Sequence, residues 1–219
     1  MNTKYEFTGE TKIVYGRTLR RIKAIVAIGA TVAPGDIGGW IESENNLSMY
    51  GNAWVHGDAE VYGNAMVHGN AWVYGNAKVY GNASVYGNAI VSGDARVYGN
   101  AIVSCDARVY GNAMVYCDAM VYGNAWVYGN AEVYGDAWMY GDALVSCDKD
   151  YMTFKNSWSS GRWFTYTASN KKWKVGCFYG TGDELVRKAY ADSELSGKCY
   201  EAIVRAVEAI EAAKGSGVK

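Results

Sequence analysis

The chain has 219 residues, 50% of them hydrophobic, and a formal net charge of −1. This length allows one or two domains with a sizeable core, and the near-neutral charge argues against a nucleic-acid-binding protein. No stretch of 18 apolar residues occurs, and residues 1–6 lack the apolar core of a signal peptide. We therefore expect a cytoplasmic protein without a membrane span.

Residues 1–48 predict short strands followed by the degenerate start of a repeat. We expect the strands to cap one end of a β column, because stacked coils expose their core and an unpaired edge at an open end. Between Ala30 and Ser48 a six-residue spacing is already present, with Ile41 and Leu47 at positions that correspond to alanines of the later repeat. The predicted strands are Lys4–Thr8, Ile13–Tyr15 and Leu19–Ile28.

From Met49 to Asp148 one six-residue phrase, Val-Tyr-Gly-Asn/Asp-Ala-x, repeats without insertion. A period of six does not match the α-helix, but it is a multiple of the two-residue period of a strand. Each repeat therefore predicts a short strand that points its valine inward, and the Gly-Asn or Gly-Asp pair predicts a corner. Three strands and three corners make a coil of about 18 residues, and stacked coils align their strands in parallel.

The repeat resembles the hexapeptide-repeat family, in which an aliphatic residue is followed four residues later by a small one. The resemblance covers residues 49–148 and implies a left-handed parallel β-helix with the shape of a triangular prism. One difference is the position after the aliphatic residue, which is usually small in that family and is mostly tyrosine here. The predicted fold class is therefore mainly β, with a short N-terminal β cap before the β-helix.

Residues 149–219 predict a small α+β domain. Aromatic and polar residues alternate from Tyr151 to Thr181, which is typical of an antiparallel sheet. Thr181 and Glu184 form a capping-box signature at the start of a helix of about ten residues. A second amphipathic helix is predicted from Lys198 to Ala213.

Two short segments also resemble uncharacterised phage and prophage repeat proteins. They are the Gly-Gly-Trp-Ile-Glu sequence at residues 38–42 and the Gly-Cys-Phe-Tyr-Gly-Thr sequence at residues 176–181. This resemblance concerns the source of the protein, which would then act in the cytoplasm of a host cell.

The five cysteines predict reduced thiols without a metal site. Cys105, Cys117 and Cys147 each replace a corner glycine and fall on three different corners of the 18-residue coil, too far apart for a disulfide. Cys177 and Cys199 lie in the C-terminal segment, and an odd total favours free thiols.

The residue before each valine points outward, and outward residues that are 18 positions apart lie on the same face of the predicted prism. Grouping them in this way distinguishes three faces. The first and third faces are apolar and predict contact surfaces for a homodimer or homotrimer, with docking of the C-terminal segment or of a foreign partner as alternatives. The predicted interface residues are Trp54, Trp72, Ile90, Trp126 and Leu144 on the first face, and Met66, Ile102, Met120 and Trp138 on the third.

The second face carries charged residues beside a ladder of tyrosines and is expected to be solvated. The ladder could bind a carbohydrate, a nucleobase or a protein loop, or it could simply reflect good packing of aromatics along parallel strands. The ladder residues are Tyr62, Tyr80, Tyr98, Tyr116 and Tyr134.

The family resemblance also implies a possible enzyme, a trimeric acyltransferase with a catalytic histidine near a subunit interface. His56 and His68 are the candidates, and both occupy the tyrosine position of a repeat. The γ-type carbonic anhydrases of the family need three histidine ligands, which this chain lacks. In the C-terminal segment a mixture of basic and aromatic residues could contact single-stranded nucleic acid or form one face of a hairpin. These residues are Arg162, Trp163, Lys171, Lys172 and Trp173.

These patterns favour a non-enzymatic binding or assembly protein. We expect it to be an accessory factor of a phage or prophage. Its partner could then be a host protein, such as a component of a defence system. No cofactor and no metal are expected. The alternatives are the trimeric acyltransferase and a sponge that holds nucleotides at subunit junctions.

Overall fold

A computed structural model of the chain describes residues 2–215, so residues 216–219 of the predicted C-terminal domain lie outside the described part. The chain divides into two compact units, Met1–Asp148 and Lys149–Lys219.

The first unit begins with three longer strands. Strands β1 (Tyr5–Val14) and β2 (Arg17–Ala24) form an antiparallel hairpin, and β2 pairs with β3 (Ile37–Ile41), also antiparallel. The two strands predicted between Lys4 and Tyr15 are therefore one, because a bulge at Gly9 bends the strand without ending it.

The predicted register of the first coil is wrong. Ile41 pairs with Val61, and Leu47 bridges to Val67, so both residues occupy valine positions rather than alanine positions. The short 3-10 helix Glu44–Asn46 lies at the corner between them without changing the six-residue spacing, and the two additional residues of this coil lie between Leu47 and Val55.

From Trp54 onward the predicted repeat is confirmed as a parallel β-solenoid. Each repeat contributes a two-residue strand, and residues 18 apart pair, as Trp54 does with Trp72. The strands are β4 Trp54–Val55, β5 Glu60–Val61, β6 Met66–Val67, β7 Trp72–Val73, β8 Lys78–Val79, β9 Ser84–Val85, β10 Ile90–Val91, β11 Arg96–Val97, β12 Ile102–Val103, β13 Arg108–Val109, β14 Met114–Val115, β15 Met120–Val121, β16 Trp126–Val127, β17 Glu132–Val133, β18 Trp138–Met139 and β19 Leu144–Val145.

These strands form three sheets, one for each face. The first face contains β4 and every third strand to β19, and the third face contains β6 and every third strand to β18. The second face contains β5 to β17 and is extended by β3, β2 and β1. The alanines and the inward valines of the repeat, with Met139 in place of one valine, have no exposed surface and form the core.

Side-chain amides add a second set of bonds along the corners. Asn64 donates to Asn82, Asn82 to Asn100, and Asn100 to Asp118, at 2.9–3.0 Å. A carboxylate accepts but cannot donate, so Asp118 ends this series of amide-to-amide bonds.

The second unit is the predicted small sheet with two helices. Strands β20 (Tyr151–Lys155), β21 (Trp163–Thr167), β22 (Lys172–Val175) and β23 (Phe178–Gly180) pair antiparallel in chain order. A 3-10 turn, Asp148–Asp150, precedes them.

Two helices follow the sheet, α1 (Gly182–Asp192) and α2 (Glu194–Gly215). The predicted capping box is confirmed, because the Thr181 hydroxyl accepts from the Glu184 N–H and the Glu184 carboxylate accepts from the Thr181 N–H. Neither helix of the described chain combines the length and the apolar character that a membrane crossing requires.

Candidate interaction surfaces

The first face carries an apolar strip that is shorter than predicted. Trp54 is 0% exposed, so its expected place on an exposed strip is wrong. The Tyr5 ring lies edge-on to the Trp54 ring with centroids 6.4 Å apart, and a Cβ on Gly38 would lie 2.7 Å from the indole. The N-terminal segment therefore covers this tryptophan. The remaining predicted residues are half-buried (Trp72 and Ile90) or exposed (Trp126 and Leu144).

A cation interrupts the first face. Arg108 lies between Ile90 and Trp126 in the sheet, and its guanidinium carbon is 5.1 Å from the centroid of the Trp126 ring. Any partner that covers this strip must also cover a charge, which is costly unless the charge is paired.

The third face carries an outward strip without a charged side chain. We call Met66, Ser84, Ile102, Met120 and Trp138 the third-face strip. Met66 is 49% exposed and the others are half-buried. Each residue lies beside the next in the parallel sheet, as Ile102 does beside Met120. The strip therefore crosses five coils as one surface.

The tyrosines of the second face form the predicted ladder. Neighbouring rings from Tyr62 to Tyr116 stack with centroids 4.9–5.1 Å apart and planes within 4° of parallel. The ring centroids of Tyr116 and Tyr134, at the end of the ladder, are 5.5 Å apart. Burial and the hydrogen bond to Glu132 raise the pKa of Tyr116 to about 12. Because the ring faces stack on one another, the surface of the ladder offers mainly ring edges and hydroxyls.

The expectation of a solvated second face is wrong at its N-terminal end. Tyr62 is 5% exposed and packs against Leu19 and Trp40, and burial raises its pKa to about 12. Glu60 is also buried, with Lys12 Nζ at 2.8 Å and Lys78 Nζ at 2.9 Å from its oxygens. Burial opposes ionisation of Glu60, but the two lysines outweigh it and lower its pKa.

The two histidines lie on different faces and are not brought together. His56 is exposed beside the first face. His68 lies beside the third face, where its ring stacks on Tyr86 with centroids 4.8 Å apart, and burial lowers its pKa. Within residues 2–215 neither imidazole forms an ion pair with a carboxylate, and no group of three or more His, Cys, Asp or Glu side chains could hold a metal ion.

The C-terminal contact residues do not form one surface. Trp173 is 2% exposed, so its expected place as a contact residue is wrong. Its ring lies in the core against Phe164 and Tyr166, because the alternation of β22 turns it towards the helices. Arg162 and Lys171 are exposed, whereas Trp163 and Lys172 are half-buried.

Sequence reasoning missed a cavity of about 150 Å³ in the second unit. Arg162, one of the predicted contact residues, is part of its wall, whereas no role in a site was predicted for Lys188 or Cys177. They come from a turn and a helix that only the tertiary structure places together.

Comparison with known proteins supports the repeat. A family model described as the YdcK β-solenoid repeat matches residues 59–75, 77–93 and 107–122, all within the stacked coils. No curated protein matches the chain. The family match and the observed 18-residue coils together show that the chain is a β-solenoid repeat protein.

Proposed function

We propose that this protein is a non-enzymatic binding and assembly protein, and that its third-face strip contacts the same strip of a second copy to form a dimer or trimer. The observation that carries the proposal is the absence of a charged side chain among the outward residues of the strip, over all five of its strands. A strip of this kind can meet its own copy without like-charge repulsion and without desolvating a charge.

The energetics favour this strip over the first face. Burial of apolar surface contributes about 25 cal/mol per Å². Met66, Ile102 and Met120 offer such surface, whereas the first face would bury Arg108 together with its tryptophans. We therefore assign the contact to the third face.

The rigidity of the solenoid supports the same function. The Ile102 N–H donates to the Ala119 carbonyl at 3.0 Å, and the Met120 N–H donates to the Ala137 carbonyl at 2.9 Å. Because the backbone under the strip is held by these bonds, association orders few groups, and its entropic cost is reduced.

A matched pair of variants tests the assignment. Met120 lies between Ile102 and Trp138, whereas Met114, also half-buried and in the same position of its repeat, lies between Arg96 and Glu132. Met120→Glu should convert the oligomer to a monomer in light scattering at micromolar concentration, and Met114→Glu should leave the oligomer intact.

Two results would contradict the proposal. The first is a wild-type protein that is a monomer at all concentrations. The second is an equal loss of association in both variants, which would indicate a general effect of the added carboxylate rather than a contact at the third face.

The phage context is a finer part of the proposal and rests on the resemblance of residues 38–42 and 176–181 to phage repeat proteins. In that setting the partner is a host protein, such as a component of a defence system. Affinity capture from host lysate with wild-type protein and with the Met114→Glu variant should enrich the same host protein. Enrichment of none would remove the support for this context.

A further inference from the structure

The second unit contains a cavity between the turn that joins β22 to β23, the middle and C-terminal end of α1, and the second turn of α2. Its volume is about 150 Å³. A cavity of about 150 Å³ is large enough to hold a benzene ring. The size therefore restricts a ligand to one small ring or a short branched chain.

The inner wall of the cavity is apolar. Val175, Leu185 and Ala189 line it and are buried, and the half-buried rings of Phe178 and Tyr200 complete the wall. Such a wall favours the apolar part of a ligand, which gains the free energy of leaving water.

Two cations lie among the exposed residues of the cavity. Arg162 and Lys188 both line it and both are exposed. In the part of the chain that the structure describes, neither side chain forms an ion pair, although Asp192 lies one helical turn after Lys188 and also lines the cavity. The charged lining is therefore positive by one.

The position of Arg162 is set by close packing. A Cβ on Gly176 would lie 3.3 Å from Arg162 Cδ, so the arginine stem packs against the glycine of the β22–β23 turn. Gly176 has φ of +53°, a conformation that favours glycine. The turn thus leaves space for the arginine beside the cavity.

We propose that this cavity binds a small aromatic carboxylate of the benzoate class. The ring occupies the apolar wall, and the carboxylate accepts hydrogen bonds from Arg162 and Lys188, since unpaired guanidinium and ammonium groups are the preferred donors to a carboxylate. The proposal concerns the second unit alone and does not depend on the assembly of the solenoid.

Cys177 provides a reporter because it is exposed and lines the cavity. In the full-length protein, alkylation of Cys177 by iodoacetamide is followed by peptide mass spectrometry with and without benzoate. Cys105 is also exposed but lies in the solenoid, so it is an internal control. Benzoate should slow the alkylation of Cys177 about fivefold, as expected for a ligand largely buried in its site, and leave Cys105 unchanged.

Variants and ligand analogues then show which protein groups and which parts of the ligand contribute to binding. Lys188→Gln and Arg162→Gln should each raise the benzoate concentration for half-protection by about tenfold, which is typical of one lost charge-assisted hydrogen bond. Arg187→Gln removes the neighbouring cation of α1, which does not line the cavity, and should leave that concentration unchanged. Acetate, without a ring, and benzyl alcohol, without a charge, should protect poorly.

Three results would overturn the proposal. They are no protection of Cys177 at millimolar benzoate, equal effects of Arg187→Gln and Lys188→Gln, and protection by benzyl alcohol as strong as that by benzoate. Because each comparison is made within one folded variant, with Cys105 as the reference, a change in intrinsic thiol reactivity does not affect the result.

Discussion

The corner position of each repeat selects glycine through its backbone conformation. Gly75 has φ of +73°, and a Cβ there would lie 3.1 Å from the backbone nitrogen of Gly93 in the next coil. Cys105 and Cys117 occupy equivalent corners with φ of +61° and +60°. A side chain in this region is strained, so these two corners cost stability that the glycine corners do not.

Replacing Cys105 by glycine should therefore stabilise the protein. We expect Cys105→Gly to raise the free energy of unfolding by about 1 kcal/mol, because glycine adopts positive φ without strain. Cys105→Ala is the control, since it removes the thiol but keeps the Cβ. The urea midpoint should rise for the glycine variant alone, and a similar rise for alanine would place the cause in the thiol.

Tyr62 links burial to pH dependence. Its pKa is raised to about 12 by burial and by the neighbouring Tyr80, whereas a tyrosine in an unfolded chain has a pKa of about 10. The folded state holds the phenolic proton more tightly, so this contribution to stability is complete below pH of about 10 and is lost as the pH rises towards 12.

Tyr62→Phe should lessen the loss of stability in this pH window. The urea midpoint measured from neutral pH to about pH 12 should fall less steeply for Tyr62→Phe than for wild type above pH of about 10. Tyr134→Phe changes the same kind of residue at the exposed end of the ladder and should follow the wild-type curve. Identical slopes for all three proteins would show that Tyr62 does not cause the effect.

At the level of elements, a buried carboxylate adds to the pairing of β2 with β3 that joins the β1–β2 hairpin to the solenoid. Lys12 of β1 forms an ion pair with Glu60 of β5, and its ammonium lies 4.5 Å from the centroid of the Trp40 ring. A second lysine of the hairpin, Lys23, forms an ion pair with the exposed Glu6. The two ion pairs have similar lengths but differ in burial, which decides how much each stabilises.

Lys12→Gln should loosen the hairpin, and Lys23→Gln should not. We expect about 1–2 kcal/mol of destabilisation from Lys12→Gln, since Glu60 loses a partner in a buried site. Lys23→Gln should cost less than about 0.5 kcal/mol, as is typical of exposed pairs. Hydrogen exchange of the β1 and β2 amides measures the effect, and equal exchange in the two variants would mean that burial of Glu60 is unimportant.

At the scale of the whole solenoid, two periods serve different purposes. The six-residue period builds the core, whereas the 18-residue period assigns outward residues to faces. Removal of one complete coil therefore preserves every face, and removal of a single repeat preserves the core but shifts all later residues to another face.

Two deletions test this separation. Deleting residues 83–100 keeps Ile102 and Met120 on the third face with Met66. Deleting residues 83–88 moves Arg108 and Trp126 onto the third face in their place. Both proteins should keep a β-type circular dichroism spectrum, but only the 18-residue deletion should keep the wild-type oligomeric state in light scattering. Association of the six-residue deletion would contradict the assignment of the contact to the third face.

The repeat predicts the direction in which each side chain of a face points, but not whether that side chain stays exposed. The alternation of a strand correctly points Ile102 and Met120 outward, since the pattern is local. The same rule failed at Trp54, which Tyr5 and Gly38 cover, and at Tyr62, which the hairpin covers. A local pattern gives the direction of a side chain but not what another segment places over it.

The amino-acid sequence is sufficient to specify the β-solenoid and its 18-residue coil, because the repeats share the same local requirements for an inward aliphatic side chain, a small alanine and a corner with positive φ. The burial of Trp54 and Glu60 and the cavity lined by Arg162 and Lys188 follow instead from the folded chain. These features join residues far apart in the chain through contacts of individual side chains, for which no period exists. Local periodicity thus specifies the coils, whereas long-range packing specifies which of their surfaces stay accessible.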